Sequence, residues 1–288
     1  MMKKYLYLLM AIVTVGFSSC GDDDEPEVPK LRRLTKVTCT KNGSAFFSAD
    51  ITYDQTGNIS RIITDKYTDN YIYVGNTISV NGVKTDGSNP SGNSFIHTVF
   101  TLDGDVISKR EEKAENKYAN NEVYTSELYA FGYSRYQLET ASQTIQWPKT
   151  DGKGYENQYL DKAIRYVWEN RNVISYRHFL EEMKYEYTTE LRPENFPFRV
   201  INTLQPTTFE VMSPLNFKYS KMNYNLVHRA YWYSLNDPLS ICAEYSFNYI
   251  TTSEYITGMT VKEKINAVNG TQAEENTYEY TFLYNSPQ

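Results

Sequence analysis

The segment Tyr278-Glu279-Tyr280-Thr281-Phe282-Leu283-Tyr284 sets an aromatic ring at every second position. Successive side chains of a β-strand point to opposite faces. The spacing therefore puts Tyr278, Tyr280, Phe282 and Tyr284 on one face and leaves the other to Glu279, Thr281 and Leu283. A helix would scatter the same rings around its circumference. Similar runs recur at Phe46 to Tyr53, Tyr71 to Val74, Phe95 to Leu102, Val123 to Tyr133, Ile164 to Trp168, Tyr185 to Thr189 and Tyr245 to Ile250. The 27 tyrosines and 13 phenylalanines among 288 residues supply them, and aromatic residues favour strands. Between runs stand residues that accept positive φ: Asp54-Gln55-Thr56-Gly57-Asn58, Asn81-Gly82, Asp103-Gly104 and Asn269-Gly270. The pattern predicts an all-β fold, an antiparallel meander of hairpins of roughly 20 residues each, forming a strongly curved sheet or barrel. No Gly/Ser-rich linker interrupts it, so one domain is expected over residues 31–286.

Three stretches are less regular. Lys109 to Asn121 is charged enough for a long hairpin loop or a short exposed helix, and Tyr159 to Trp168 reads as strand on its aromatic spacing. Arg192 to Met222 carries Pro193, Pro197, Pro206 and Pro214, and proline removes the donor that a ladder needs. A long irregular crossing is expected there, capping one end of the sheet or forming a lid.

The N-terminus reads as an address. Lys3 and Lys4 form a basic start, and Tyr5 to Phe17 an apolar run. As a helix that run rises about 20 Å, too short for the ~30 Å hydrocarbon core of a bilayer. Ser18-Ser19-Cys20 then looks like a bacterial lipobox, in which the cysteine is acylated and residues 1–19 are removed. Acylated Cys20 would anchor the chain in a lipid bilayer by burying methylenes. Residues 20–30 follow as an acidic tether stiffened by Pro26 and Pro29. Asp22, Asp23, Asp24 and Glu25, so close to the cysteine, resemble the surface-export signal of Bacteroidetes lipoproteins. The expected location is the outer membrane, lipid-anchored and facing the cell exterior.

The formal charge of −6 repels phosphate backbones, which argues against nucleic acid as a partner. His97, His178 and His228 stand far apart with no second ligand at metal-binding spacing, so no metal site and no cofactor is expected. Asp103-Gly104-Asp105 lacks the further ligands of a calcium loop and reads as a hairpin turn. No nucleophile elbow or phosphate-binding glycine loop occurs. Carboxylates are plentiful, and a hydrolase needs only two, so carboxylate-based hydrolysis stays open beside the expectation of a non-enzyme. Cys39 and Cys242 either form a disulfide worth ~5 kcal/mol in the chain-entropy picture or remain buried thiols. The aromatic surplus offers a ligand platform. Tyr231-Trp232-Tyr233, which puts rings on both faces of one strand, and Trp147 beside Asp151-Gly152-Lys153-Gly154 present rings that stack on sugars or anchor proteins, or else simply fill the core.

Taken together, Tyr53-Asp54-Gln55-Thr56-Gly57-Asn58-Ile59, Trp168-Glu169-Asn170-Arg171-Asn172-Val173-Ile174, and Tyr245-Ser246-Phe247-Asn248-Tyr249 followed by Tyr255-Ile256-Thr257-Gly258-Met259 resemble a family of Bacteroides-type lipoproteins of unknown function with a porin-like β fold. The resemblance covers nearly the whole chain and brings no catalytic residues. A lipid-facing barrel needs an unbroken apolar band, which Lys109-Arg110-Glu111-Glu112-Lys113 and Lys262-Glu263-Lys264 interrupt. The expectation is therefore a soluble, lipid-tethered barrel with a non-enzymatic binding role, its partner a glycan recognised by Tyr and Trp or another protein of the outer membrane. The alternative is an accessory subunit of an outer-membrane protein complex.

Overall fold

The computed structural model describes residues 32–285, apart from positions 66, 85–94, 117–121, 136, 180, 194–223, 235–236, 253–254 and 268–271. Sixteen strands follow one another, with no helix among the described residues. The first eight are β1 (Leu34–Lys41), β2 (Ser44–Tyr53), β3 (Ile59–Thr64), β4 (Tyr67–Val74), β5 (Thr77–Lys84), β6 (Phe95–Asp103), β7 (Val106–Asn116) and β8 (Glu122–Ser134). The rest are β9 (Gln137–Pro148), β10 (Tyr155–Glu169), β11 (Asn172–His178), β12 (Glu181–Leu191), β13 (Asn225–Ser234), β14 (Asp237–Thr251), β15 (Ile256–Ile265) and β16 (Glu274–Tyr284). Each pairs antiparallel with the next, and β1 also pairs with β16, with Val37 opposite Phe282 and Cys39 opposite Tyr280. The sheet thus closes into a barrel, which removes the exposed edges an open meander would leave. The backbone N–H of Arg33 donates to Asn285 Oδ1 over 2.7 Å, and that of Asn285 to the Arg33 carbonyl over 2.9 Å. The chain therefore enters and leaves the barrel at one end, called here the entry end; the opposite end is the far end.

The runs read from alternation all fall within strands, and Tyr159 to Trp168 is strand as expected. Lys109 to Asn116 is neither loop nor helix but most of β7. Asn81-Gly82 is no turn: both lie inside β5, paired with Asn70 and Asp69, and the chain reverses at Gly75-Asn76 instead. Asp54 does organise a turn, accepting from the backbone N–H groups of Thr56 and Asn58 at 2.9 Å each. Gly57 there has φ +84, and a Cβ would also strike the Arg33 guanidinium. Asn269-Gly270, most of the proline-rich crossing and residues 1–31 lie outside the described residues.

The two faces of the sheet differ in polarity. On β16, Tyr278, Tyr280 and Phe282 are buried while Glu279, Thr281 and Leu283 are exposed. On β15, Met259 and Val261 are buried and Lys262 and Lys264 exposed. Fifteen strands contribute to one buried apolar cluster and β8 packs Phe131 and Tyr133 against it, so the apolar face is the inside. Each ring as deeply buried as Phe282 contributes ~1.5–3 kcal/mol.

At the entry end one hydrogen bond recurs from hairpin to hairpin. A ring at the end of each of seven even-numbered strands donates to a carbonyl among the first three residues of the preceding strand. Tyr53 donates to Leu34, Tyr73 to Ile59, Tyr133 to Ile107 and Tyr187 to Val173. Tyr249 donates to Val227, Tyr284 to Ile256, and the Trp168 indole to Leu138. In β6 the corresponding position is held by Leu102, which has no donor and pairs with Ile107 as Tyr133 pairs with Leu138. The barrel is a ring of eight hairpins, seven of them latched in this way.

Candidate polar site on the inner wall

Nearer the far end the inner wall changes character. On β7, Arg110 and Glu112 stand opposite Phe100 and Thr98, both buried, which places their side chains inside. Their partners on β8 are Tyr129 and Glu127. Arg110 forms an ion pair with Glu112 and lies 5.4 Å from the Tyr129 ring centre. The Tyr129 hydroxyl donates to Glu127 Oε1 over 2.9 Å. Gln143 Nε2, on β9, donates to the same carboxylate oxygen and, over 2.9 Å, to the Tyr129 hydroxyl. Burial first, and then the neighbouring Glu127 charge, raises the Tyr129 pKa, so this phenol stays a donor.

The wall continues through β13. Ala141, Ile164, His178, Glu181 and Ser234 oppose one another in turn, a row across five strands. At ~4.8 Å per strand spacing that row is about 19 Å of arc. Gln143 and Trp232 flank it, each two residues from a member of the row on the same face. Trp232 sits opposite Met183 and Ala243, both fully buried. Burial lowers the His178 pKa, and the Glu127 charge opposes that shift. Burial raises the Glu181 pKa.

Three buried polar atoms of this wall have no partner among the described residues: Gln143 Oε1, His178 Nε2 and Trp232 Nε1. Each such atom costs on the order of 1–3 kcal/mol if left unmet, and buried polar groups are otherwise almost always paired. An acceptor, an imidazole nitrogen and an indole donor together suit a ligand that both donates and accepts hydrogen bonds.

The sequence-derived candidates scatter. Tyr231-Trp232-Tyr233 divides between faces: Trp232 goes in, while Tyr231 and Tyr233 line the outer face opposite Lys184 and Glu182. There the Lys184 ammonium sits 4.6 Å from the Tyr233 ring centre, and Glu182 accepts from Ser175 at 2.7 Å and Arg177 at 3.0 Å. Trp147 lies near the far end of β9, 40% exposed, its indole donating to Glu156 Oε2 over 2.9 Å. Cys39 and Cys242 are both free and buried, so of the two alternatives the structure has the buried thiols. β15 and β16 stand between their strands, roughly 14 Å of sheet against the ~4.4–6.8 Å between Cα atoms that a disulfide spans. Cys20, Asp22, Asp23, Asp24 and Glu25 lie outside the described residues. Among the described residues no group of three or more His, Cys, Asp or Glu could hold a metal ion. His228 is exposed on β13, where the register shifts between Arg229 and Val227.

Arg110, Glu112, Glu127, Tyr129 and Gln143 were not singled out as site residues from the sequence. The signal was present: in a period-2 strand, alternate members of Lys109-Arg110-Glu111-Glu112-Lys113 must face the interior.

The family model described as Domain of unknown function (DUF5032) matches residues 21–287. The chain belongs to this family. The whole barrel of this DUF5032 chain, Arg33–Asn285, falls inside the matched region. No curated protein matches it. Among solved structures, the DUF5032 chain is similar to a porin-like protein from Bacteroides vulgatus ATCC 8482, at 17% identity, covering 88% of this chain and 99% of that one, with a TM-score of 0.46. A likeness that loose carries no argument about function.

Proposed function

We propose that this DUF5032 chain is a lipid-anchored protein of the cell envelope, held by acylated Cys20 and exported to the surface on Asp22, Asp23, Asp24 and Glu25. Its barrel stands outside the bilayer and binds a glycan without catalysis, on the inner wall of β7 to β13. The observation that carries the ligand reading is the set of three unpartnered atoms, Gln143 Oε1, His178 Nε2 and Trp232 Nε1. Sugar hydroxyls both donate and accept, and the Trp232 and Tyr129 rings offer stacking faces beside them. The position outside the bilayer is supported by the outer face, where Lys184, Glu244, Lys262, Lys264 and Glu279 occupy positions that a spanning barrel fills with apolar residues.

A second reading is a carboxylate-based hydrolase. It rests on Glu112 and Glu127, which stand directly opposite each other across β7 and β8. Both carboxylates are engaged as acceptors, by Arg110 and by Tyr129 with Gln143, which suits binding better than proton transfer.

The test is a glycan array probed with the chain from Gly21, followed by mass analysis of any bound glycan. Binding that Trp232→Phe weakens, with the glycan recovered intact, is the expected result. Cleaved glycan favours the hydrolase. A blank array with a folded chain removes the glycan reading and moves weight to the accessory-subunit alternative, and absent palmitate labelling at Cys20 removes the anchor.

A further inference from the structure

The exposed apolar side chains of the barrel sort by end. Among the described residues, the exposed large aliphatics are Ile72, Val74, Val123, Val167, Leu191, Ile250 and Leu283. All but Val123 lie within three residues of the entry-end terminus of their strand: Val74 closes β4, Leu191 closes β12, and Val167, Ile250 and Leu283 stand just before the ends of β10, β14 and β16. They are 49–67% exposed. Of the exposed aromatics, Phe46, Trp147, Tyr159 and Phe179 lie toward the far end, while Tyr224, just before β13, joins the aliphatics at the entry end. Elsewhere the outer face is mostly Lys, Glu, Thr and Ser, so a chain without a use for them would be expected to spread its aliphatics over both ends. β10, β12, β14 and β16 alternate with single strands along the barrel wall, and β4 follows four strands further on, so the aliphatics spread around the rim as an open collar.

We infer that this collar rests on the surface of a lipid bilayer, its side chains dipping into the headgroup region, so that the barrel stands with its far end turned away from the membrane. The inference rests on the anchored reading above. The reason for choosing a bilayer as the occupant is where the chain enters. Arg33 leads into β1 at this same end, and Cys20 precedes it by a stretch that reaches at most ~45 Å when fully extended. An acyl chain on Cys20 joins the barrel at the entry end, so that end has the shortest path to the lipid, and a shallow apolar rim is what an interfacial contact requires. The polar stretch of the inner wall and Phe46, Trp147, Tyr159 and Phe179 then lie on the side from which a soluble glycan arrives.

The experiment uses the full chain reconstituted on vesicles of phosphatidylethanolamine and phosphatidylglycerol containing nitroxide-labelled lipid. A bimane probe is placed in turn at Ile72→Cys, Ile250→Cys and Val123→Cys; buried Cys39 and Cys242 leave the introduced thiol as the labelled one. Expected are loss of emission for the probes at positions 72 and 250 and undiminished emission at 123. A chain that stays bound while the entry-end probes remain bright overturns the collar and leaves the anchor standing. The same probes in a Cys20→Ala background separate the two readings. Release from the vesicles confirms the anchor, whereas continued binding with quenched entry-end probes keeps the collar and removes the anchor. A native chain that does not associate with vesicles overturns both.

Discussion

The hydroxyl of Tyr284, at the end of β16, donates to the carbonyl of Ile256, at the start of β15, over 2.9 Å. The bond ties the last strand to its neighbour one residue from the point where Leu283 pairs with Lys36 across the seam. Burial holds the Tyr284 pKa above its ordinary value, so the hydroxyl remains a donor through the working pH range. Tyr284→Phe keeps the ring and leaves a carbonyl unmet, which costs about 1–2 kcal/mol. For a chain of this size the expected fall in Tm is roughly 2–8 °C, read by near-ultraviolet circular dichroism. The exposed neighbour Leu283→Ala, carrying no such bond, is expected to move Tm far less.

The free thiols give a chemical prediction. Burial pushes the Cys39 pKa up to about 11, so almost no thiolate exists at pH 8. An aromatic disulfide reagent is expected to find neither Cys39 nor Cys242 in the folded protein and both after unfolding. Reducing agent is expected to leave Tm unchanged, and a Tm that falls on reduction contradicts the register.

The interior carries a pH dependence that runs in two directions. Asp69 follows the inward parity of buried Tyr71, and burial raises its pKa. The folded state therefore holds this proton more tightly than the unfolded chain. The stability it contributes is complete below the unfolded pKa near 3.8 and is lost as pH rises through the folded pKa. Asp69→Asn is expected to raise Tm by a few degrees at pH 7 and to change it little at pH 3. His178 works the opposite way. Its folded pKa is depressed, so the unfolded chain takes up a proton first, and stability falls as pH drops below 6.5. His178→Gln is expected to flatten the Tm profile between pH 7 and 5.

How much of this was legible in the sequence depended on the range of the interaction. Strands were visible because alternation is local: Tyr278 to Tyr284 and Tyr245 to Ile250 declare their faces residue by residue. Closure was not, because pairing Val37 with Phe282 is decided by the summed curvature of sixteen strands and leaves no local mark. Asn81-Gly82 misled because a turn-prone pair costs little inside a strand when its neighbours pair on both sides. Alternation puts Tyr231 and Tyr233 on one face of β13 and Trp232 on the other, but which of the two faces turns inward is set by the closed sheet and leaves no local mark. The latch repeat was in reach as an aromatic residue five positions before an aliphatic one, in Tyr73–Ile78, Tyr133–Leu138 and Trp168–Val173. Leu102–Ile107 keeps that interval without the hydroxyl, and only the bonds reveal what the interval is for.

The ligand site separates from the outer tyrosines by mutation. Trp232→Phe removes the unpartnered indole donor while keeping an aromatic ring. Glycan affinity is expected to fall about tenfold, the ~1.4 kcal/mol of one lost hydrogen bond, with little change in Tm. Tyr231→Phe and Tyr233→Phe, on the outer face, are expected to bind as the native chain does. Affinity that responds to the outer pair and not to Trp232 would move the site to the outside of the barrel.

The proposals for this chain require a barrel that folds and stays folded in water. The most direct measurement is thermal unfolding of the chain from Gly21 in detergent-free buffer, with its mass followed by sedimentation and the melt repeated after adding micelles. The expected result is a monodisperse chain with one cooperative near-ultraviolet transition whose midpoint the micelles leave unchanged. A chain that aggregates in buffer and acquires its tertiary signal only with micelles or vesicles would contradict the account and restore the membrane-spanning alternative.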